Sequence, residues 1–597
     1  MKRTFLLFTI ASLCLVAACD VVENTDVDLS EAITYIRANG NENATKGSVD
    51  GSASFTWNTG DQIAVWTKNG YKVSDGLAST FDAQSTATFS FSGDNAFDQD
   101  DRANFAVFPA SLVSGQTSCS AESLPLTLPA SYTLAEVENN VSPTPMIAVN
   151  EPNGDLAFMA LCPLLRITVN NIPKQTKCIE FDFNDKKVQG TFTLSGVAPA
   201  TTAITTSSTS STDDIITVTM EDNMTWHDYL VVNLPVPTGT YDKITITSYD
   251  ADGLPILKLT KPFKSSGSWT PGRKTSSKMT ATLPVFSAAN GKYVTFAPGN
   301  LVATVTAVSE GAPTAVTWSF HANQYDRVFG WDGTQTLNQG DKIDLFGWGT
   351  SGWDNRSSDP SWVHFQPWSL SHADQSDDYS NNKWGYGPGY NASAKDLTGV
   401  NANGDWGVYN AIGDDPAGTW RLPTLSEYAY LLSTTTTSSH RETTSSGLPE
   451  GKNKKNTCAS WLVATVNNIK GTIIFPDYYE HPSDATYTLD NFYGFNSGSG
   501  QSFAQFSVDA DNWSKMETAG AIFLPVTGVR LDNNVYLDLS THGYASSDYG
   551  MYWTSTRGGS AVTGQWARGY HFSKTGPGES GENTYVGFAV RLIRDLN

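Results

Sequence analysis

The sequence predicts a mainly β protein: a pair of β-sandwiches over 50–282, then an α+β region over 291–597. Three observations predict this. From residue 50 to 283, short runs rich in Val, Ile, Thr and aromatics alternate with Gly, Asn and Asp turns. No long stretch of that half shows the 3.6-residue apolar repeat of a helix. Beyond Pro284 the composition shifts: thirteen of the 17 Trp and seven of the 8 His lie there, so the halves are not copies of one repeat.

The expected strands follow in order. SFTWNTGDQIAVW (54–66) reads as a strand, an Asn/Gly/Asp turn and a second strand. Further strands are expected at Asn104–Pro109, Leu164–Val169, Cys178–Phe183, Gly190–Leu194, Ile215–Met220, Tyr229–Leu234, Lys243–Tyr249 and Pro255–Lys261. TTAITTSSTSSTDD (201–214) is a low-complexity polar loop. Residues 283–290 read as a linker. In 291–597 the one good helix candidate is Leu425–Ser433, where Thr424 followed by Glu427 forms a capping-box pattern.

The 597 residues carry 38 Lys+Arg against 60 Asp+Glu, a formal charge of -22. Binding to nucleic acid is not expected, because phosphate neutralisation needs a positive face. Lys2 and Arg3 precede an apolar run, Phe5–Ala18, that is short for a bilayer span and suited to a signal segment. It closes on Val16-Ala17-Ala18-Cys19, which resembles the lipobox of bacterial lipoproteins. The resemblance implies a signal peptide over 1–18, lipidation (palmitate among the acyl chains) at Cys19, and an outer-membrane anchor. Residues 19–49 then form a polar, acidic tether or propeptide with one candidate strand, Ala32–Arg37. Cys119, Cys162, Cys178 and Cys458 lie beyond the anchor without CxxC spacing, and their pairing is open.

The first half carries an ordered motif series: WNTGDQIAV (Trp57–Val65), AVFPA (Ala106–Ala110), Leu128-Pro129, PMIA (Pro145–Ala148), FMALCPLLRITV (Phe158–Val169), LPVPTGTY (Leu234–Tyr241), GLP (Gly253–Pro255) and WTPG (Trp269–Gly272). The series resembles the Bacteroidetes fimbrillin superfamily of surface lipoproteins and pilus subunits. That resemblance implies export as a lipidated precursor and removal of an N-terminal segment by a trypsin-like protease. A neighbouring fimbrial subunit would then fill the opened groove with its own strand. The Arg37–Ala38 bond is the candidate processing site, with Lys46 the competing basic position. The end GFAVRLIRDLN (587–597) follows directly on an expected core strand and shows no spare strand to donate. On that resemblance the chain is expected at a pilus tip.

The second half carries FAPGNL (296–301), WSFHANQYD (318–326), DLFGWGTSGW (344–353), GDWG (404–407), WRLPTLSEY (420–428), YWTST (552–556) and GFAVR (587–591). The set resembles the C-type-lectin-like fold of Fibrobacter-type paralogous domains and formylglycine-generating enzymes. In that fold Trp420, Pro423 and Glu427 would begin a helix on the sheet, and Arg421 and Arg591 would be structural ion partners. The enzymes of that fold use paired cysteines for copper, whereas this region holds only Cys458. No enzyme activity, catalytic residue, metal or cofactor is therefore expected. The tripeptides Glu151-Pro152-Asn153 and Trp353-Asp354-Asn355 fall out of place for a calcium lectin. The carboxylates Asp374/Asp377/Asp378 and Asp509/Asp511 are weaker metal candidates.

The candidate ligand-binding residues are Trp348, Trp353, Trp362, Trp368, Trp384 and Tyr386, set among Gly, Ser and Asn. Flat indole faces beside directed hydrogen bonds suit a host or bacterial glycan or a protein ligand. The same side chains are equally the material of a small core. The expected function is a fimbrial tip subunit acting in adhesion; the alternative is a stand-alone surface lipoprotein that binds polysaccharide.

Overall fold

The computed structural model describes residues 34–40, 56–67, 70–81, 84–97, 102–113, 123–138, 144–150, 155–194, 203–205, 213–220, 229–263, 268, 270, 276–289, 291–309, 312–328, 337–353, 396–432, 460–489, 502–531, 534–539, 548–558, 566–574, 576–584 and 586–596. The chain is mainly β, as the turn-and-run pattern predicts. Among the described residues no helix is long and apolar enough to cross a membrane.

The first nine strands are β1 (Thr34–Gly40), β2 (Ala64–Thr67), β3 (Gly70–Val73), β4 (Thr86–Phe91), β5 (Arg102–Phe108), β6 (Leu124–Leu128), β7 (Ser131–Thr133), β8 (Met146–Asn150) and β9 (Leu156–Ala160). Seven of them form one sheet in the order β3-β2-β5-β8-β9-β1-β4. Successive side chains point to opposite faces, and here both faces are buried. Ile63, Val65, Ala106, Phe108 and Ala148 enter one core around Trp57. Their neighbours Ala64, Trp66, Phe105, Val107 and Ile147 enter another, under a ribbon of β6 and β12 (Gly190–Leu194). The first expected sandwich is thus a single dominant sheet with a small layer on one side. The inner strand β2 reads as a continuous apolar run because both its faces are covered, whereas the edge strand β4 alternates, with Thr88 exposed.

The second unit adds β10 (Leu164–Asn170), β11 (Cys178–Asp182), β13 (Ile215–Thr219), β14 (Leu230–Pro235), β15 (Lys243–Tyr249), β16 (Pro255–Pro262) and β17 (Ser276–Thr282). A three-stranded sheet, β14-β10-β17, and a five-stranded sheet, β16-β15-β11-β13-β7, share one core. Every expected strand here is present within a residue or two.

The third unit begins at β18 (Phe286–Ala289) and β19 (Lys292–Phe296). It continues with β20 (Leu301–Ser309), β21 (Ala312–Phe320) and β22 (Lys342–Ile343). Then come helices α2 (Trp406–Tyr409) and α3 (Leu425–Leu431), the single-turn α1 (Leu134–Val137) lying earlier in the chain. Strands β23 (Ser460–Val466), β24 (Ile469–Phe475), β25 (Thr488–Leu489) and β26 (Phe506–Val508) lead to helix α4 (Ala510–Thr518). The chain closes through β27 (Ile522–Pro525), β28 (Val529–Leu531), β29 (Asn534–Tyr536), β30 (Gly550–Arg557), β31 (Trp566–Ser573), β32 (Gly576–Asn583) and β33 (Ile593–Asp595). The turn from β23 to β24 is Asn467-Asn468, both at positive φ (46° and 64°), the geometry a two-residue hairpin favours.

Of residues 283–290, expected as a linker, 283–289 are described, and they are packed. Leu283 and Val285 are buried in the core of the second unit, and Phe286–Ala289 is β18. The sheet β18-β19-β33 brings the start and close of the third unit side by side. Beyond β33, Leu596 is fully buried in the same core as Leu283 and Tyr293. Arg594 donates from Nη2 to Asp250 Oδ2 (2.7 Å) and from Nη1 to the Pro255 carbonyl (3.1 Å).

Trp57 lies edge-on to Phe89 of β4, Phe108 of β5 and Phe158 of β9, with ring centroids 5.0, 5.1 and 5.2 Å away. Each such pair adds about 0.5–1.5 kcal/mol beyond area burial. Trp57→Ala is expected to destabilise the first unit by about 3–5 kcal/mol. Hydrogen exchange should show lost protection in β4 and β9 with β23 and β24 unchanged.

Candidate functional site

Two regions carry the sequence-derived site residues: strand β1 and the aromatic third unit.

Thr34, Tyr35 and Ile36 are strand formers, and β1 is built into the large sheet rather than free. It pairs antiparallel with β4 from Thr34↔Phe91 to Asn39↔Thr86. It pairs parallel with β9 only from Ala38↔Leu156 to Gly40↔Phe158. The expected strand Ala32–Arg37 is therefore observed, shifted to Thr34–Gly40. Arg37 is exposed and Ala38 is fully buried. The Arg37–Ala38 bond sits where β1 passes from one-sided to two-sided pairing. Trp57 contacts the rings of both flanking strands, so it links β4 to β9 beneath β1. Cys19 and Lys46 lie outside the described residues.

In the third unit the WRLP segment and α3 form a charged cluster. The Thr424 hydroxyl accepts from the Glu427 N–H (3.1 Å), and the Glu427 carboxylate accepts from the Thr424 N–H (2.7 Å), the capping box the sequence predicts. Arg421 grips Glu427 bidentately through Nη1 (2.9 Å) and Nη2 (2.7 Å). It also holds Asp595 of β33 through Nε (2.8 Å) and Nη2 (2.6 Å). Lys292 Nζ adds a contact to Glu427 at 2.6 Å. Burial alone would raise the Glu427 carboxyl, but the Arg421 hydrogen bonds and charge, with Lys292, outweigh it and hold the group at about 2. Arg421 is thus a structural ion partner.

Arg591 is not one. It is fully buried and is met by neutral amides: Nη2 donates to Gln324 Oε1 (2.6 Å), and Nη1 reaches Asn300 Oδ1 at 3.5 Å. Gln324 in turn donates to Glu517 Oε1 (2.8 Å), so the carboxylate acts through an amide relay. Desolvation lowers the Arg591 guanidinium to about 10, still protonated at neutral pH.

The GDWG motif has a packing role. Asp405 accepts from the Leu422 N–H (2.6 Å) and the Gly407 N–H (3.1 Å), joining GDWG to WRLP. A Cβ on Gly407 would lie 2.5 Å from the Trp420 carbonyl oxygen, so only glycine permits this approach. Burial raises the Asp405 carboxyl to about 7.

Trp348, expected at a ligand surface, is instead fully buried, and its indole N–H donates to the Thr554 carbonyl (2.7 Å). It joins Trp318, Trp406, Trp420 and Trp553 in one core. Trp353 is half-buried. Trp362, Trp368, Trp384 and Tyr386 lie outside the described residues, as do Glu151-Pro152-Asn153, Asp354, Asn355, Asp374, Asp377 and Asp378. Asp509 serves as the N-cap of α4, its Oδ1 accepting from the Asn512 N–H (2.8 Å). Cys162 is buried and Cys178 half-buried; both are free thiols, and burial raises each. Cys119 and Cys458 fall outside the described residues. Among the described residues no group of His, Cys, Asp and Glu is placed to hold a metal ion.

No protein-family model matches the chain, and no curated protein matches it. Solved structures give weak likenesses. A Bacteroides ovatus protein assigned provisionally to cell adhesion is 11% identical, covering 42% of this chain and 92% of its own, with a TM-score of 0.27. A Bacteroides uniformis protein with the same provisional assignment is 12% identical, covering 42% and 92%, with a TM-score of 0.24. The tip fimbrial protein Mfa3 from Porphyromonas gingivalis, truncated at its C-terminus, is 10% identical over 38% and 82%, with a TM-score of 0.17. At these TM-scores the likenesses carry no argument for fold or role.

Two outcomes are expected. Glu427 has a depressed folded-state pKa, so its contribution is complete above its ordinary value of 4.5 and disappears as pH falls towards about 2. That contribution amounts to about 3 kcal/mol at neutral pH. The stability difference between wild type and Glu427→Gln, from denaturant titrations across this window, should shrink as pH falls. Asp405 has the opposite dependence, losing stability as pH rises from 3.8 towards about 7, but it is common to both proteins and cancels. Separately, Trp348→Ala should cost about 3–5 kcal/mol in thermal unfolding, as a core truncation does.

Proposed function

We propose that this chain is a cell-surface adhesion subunit that accepts a strand from a neighbouring subunit and ends a fimbrial filament. The observation that carries the reading is β1. Its first half, Thr34–Arg37, is held by β4 alone, and the bond after Arg37 marks the change to two-sided pairing. Cleavage there would free the segment attached to one ladder and bare the matching edge of β4. An unpaired edge is a template for another chain's strand. Trp57, in contact with both β4 and β9, would keep the two walls of the slot in place.

Residues Ile593–Leu596 are built into their own chain. β33 is paired with β19, and Leu596 is buried in the core of the second unit. A segment so placed is committed to its own chain and is not free to complete another. The motif series of the first half, with the lipobox-like Val16–Cys19, supports export and anchoring at the outer membrane. The third unit is then the displayed part, and its Trp-rich stretch with Trp353, Trp362, Trp368, Trp384 and Tyr386 is a recognition surface for a glycan or protein. We read it as a binding unit, not an enzyme.

The test is N-terminal sequencing of the protein recovered from sheared cell-surface fibres. A mature chain beginning at Ala38 is expected, and Arg37→Ala should leave the precursor uncleaved and absent from fibres. A mature protein that begins at Cys19 and stays with the membrane would replace this reading with the stand-alone polysaccharide-binding lipoprotein.

A further inference from the structure

A cleft of about 490 Å³ opens where the second unit meets the third. Small-ligand sites occupy about 300–1,000 Å³. One wall is the end of β16 with the start of β15; the other is the loop 476–484 and helix α4. We propose that this cleft binds a short neutral oligosaccharide, a site separate from the Trp-rich stretch and independent of filament assembly.

The charge inventory selects a neutral ligand. Lys243, Lys261 and Lys515 face Asp477, Glu480 and Asp484, three of each sign. Lys261 is ion-paired with Glu480 across the cleft, and Lys515 donates to the Asp484 carbonyl at 2.7 Å. Asp477 accepts a hydrogen bond from Ser287. Burial lowers the His481 pKa, so this ring adds no charge near neutral pH. A strongly acidic or basic ligand would meet as much repulsion as attraction. A sugar hydroxyl both donates and accepts, so it can bridge a lysine and a carboxylate without disturbing the balance.

The walls favour a sugar over a peptide. Pro262, Pro284, Pro476 and Pro482 have no backbone N–H to pair with a peptide, and they are rigid. Helix α4 packs beside β16, which is the edge strand of its sheet. Polar side chains such as Ser514 and Thr518 also line the cleft. Phe263 and Tyr478 supply aromatic surface, both half-buried. Tyr478 is held at φ 59°, a region a bulky residue rarely adopts. Such strain persists where the surroundings enforce it and collects at binding sites.

The experiment uses the full mature chain with cellotriose, maltotriose and triacetylchitotriose, and with 3′-sialyllactose and decaproline as contrasts. Saturation-transfer NMR and calorimetry at millimolar ligand read the binding. At least one neutral trisaccharide is expected to bind more tightly than either contrast. Tyr478→Gly should weaken it about tenfold while leaving the melting temperature equal or higher, because glycine relieves the backbone. Ser514→Trp, on the exposed face of α4, should block the cleft to the same degree. Binding of decaproline or sialyllactose alone, no binding of any trisaccharide, or wild-type affinity in both variants would overturn the proposal. None of these results depends on where the precursor is cleaved.

Discussion

Trp57 is the constraint on which the first unit depends. It sits in the turn-rich WNTGD segment, outside the large sheet, yet its ring meets Phe89, Phe108 and Phe158 from three separate strands. β4 and β9 are not hydrogen-bonded to each other; β1 lies between them. The indole adds a direct side-chain tie between those two strands to the ladder through β1 and the rest of their shared apolar core. With it, the ladder through β1 and the aromatic contacts beneath are two independent ties. Hydrogen bonding between β4 and β9 runs only through β1, so the aromatic contacts are a tie that does not depend on that strand.

A different device fixes the third unit. Arg421 ties the WRLP segment and the adjacent α3, through Glu427, to the distant β33, through Asp595. Lys292 of β19 closes the cluster. Exposed ion pairs contribute little singly, but bidentate guanidinium–carboxylate geometry around a largely buried Glu427 is the favourable case. The cluster also clamps the strand that leads to Leu596. Electrostatics inside the third unit and apolar burial in the second unit therefore act on the same short segment.

Much of the fold was legible because its signals are local. The strands from Leu164 to Lys261 follow β-branched runs between turn residues, and Thr424 with Glu427 marks a helix start by side-chain chemistry alone. What escaped the sequence reading was relational. Residues 283–290 look like a connection because a proline and small residues interrupt the run, yet Phe286–Ala289 pairs with β19, whose other edge takes β33 from the close of the third unit. Trp348 reads as a surface aromatic because its neighbours are Gly, Ser and Thr. Those small residues are there to let the backbone turn around a buried ring. Arg591 looks like an ion partner, but a residue from β27's neighbourhood, Gln324, reaches it first. The cleft between the units was invisible for a similar reason: PDYYEHP carries its chemistry, but only the meeting with β16 makes it a site.

The two ends of the described chain differ in how they are held, and the difference has a direction. β1 enters its sheet by backbone pairing, and its Arg37 side chain remains outside; only at Ala38 does it become two-sided. β33 is paired, ion-bound through Asp595 and Arg594, and followed by a fully buried Leu596. Removing the first half of β1 breaks one ladder and leaves the aromatic core around Trp57 in contact. Removing β33 would break a ladder, two charge clusters and the shared core of the second and third units together. Local opening follows the lower of two such costs. The amino-terminal half of β1 is therefore the less firmly held of the two, and β33 is the fixed seam between the second and third units.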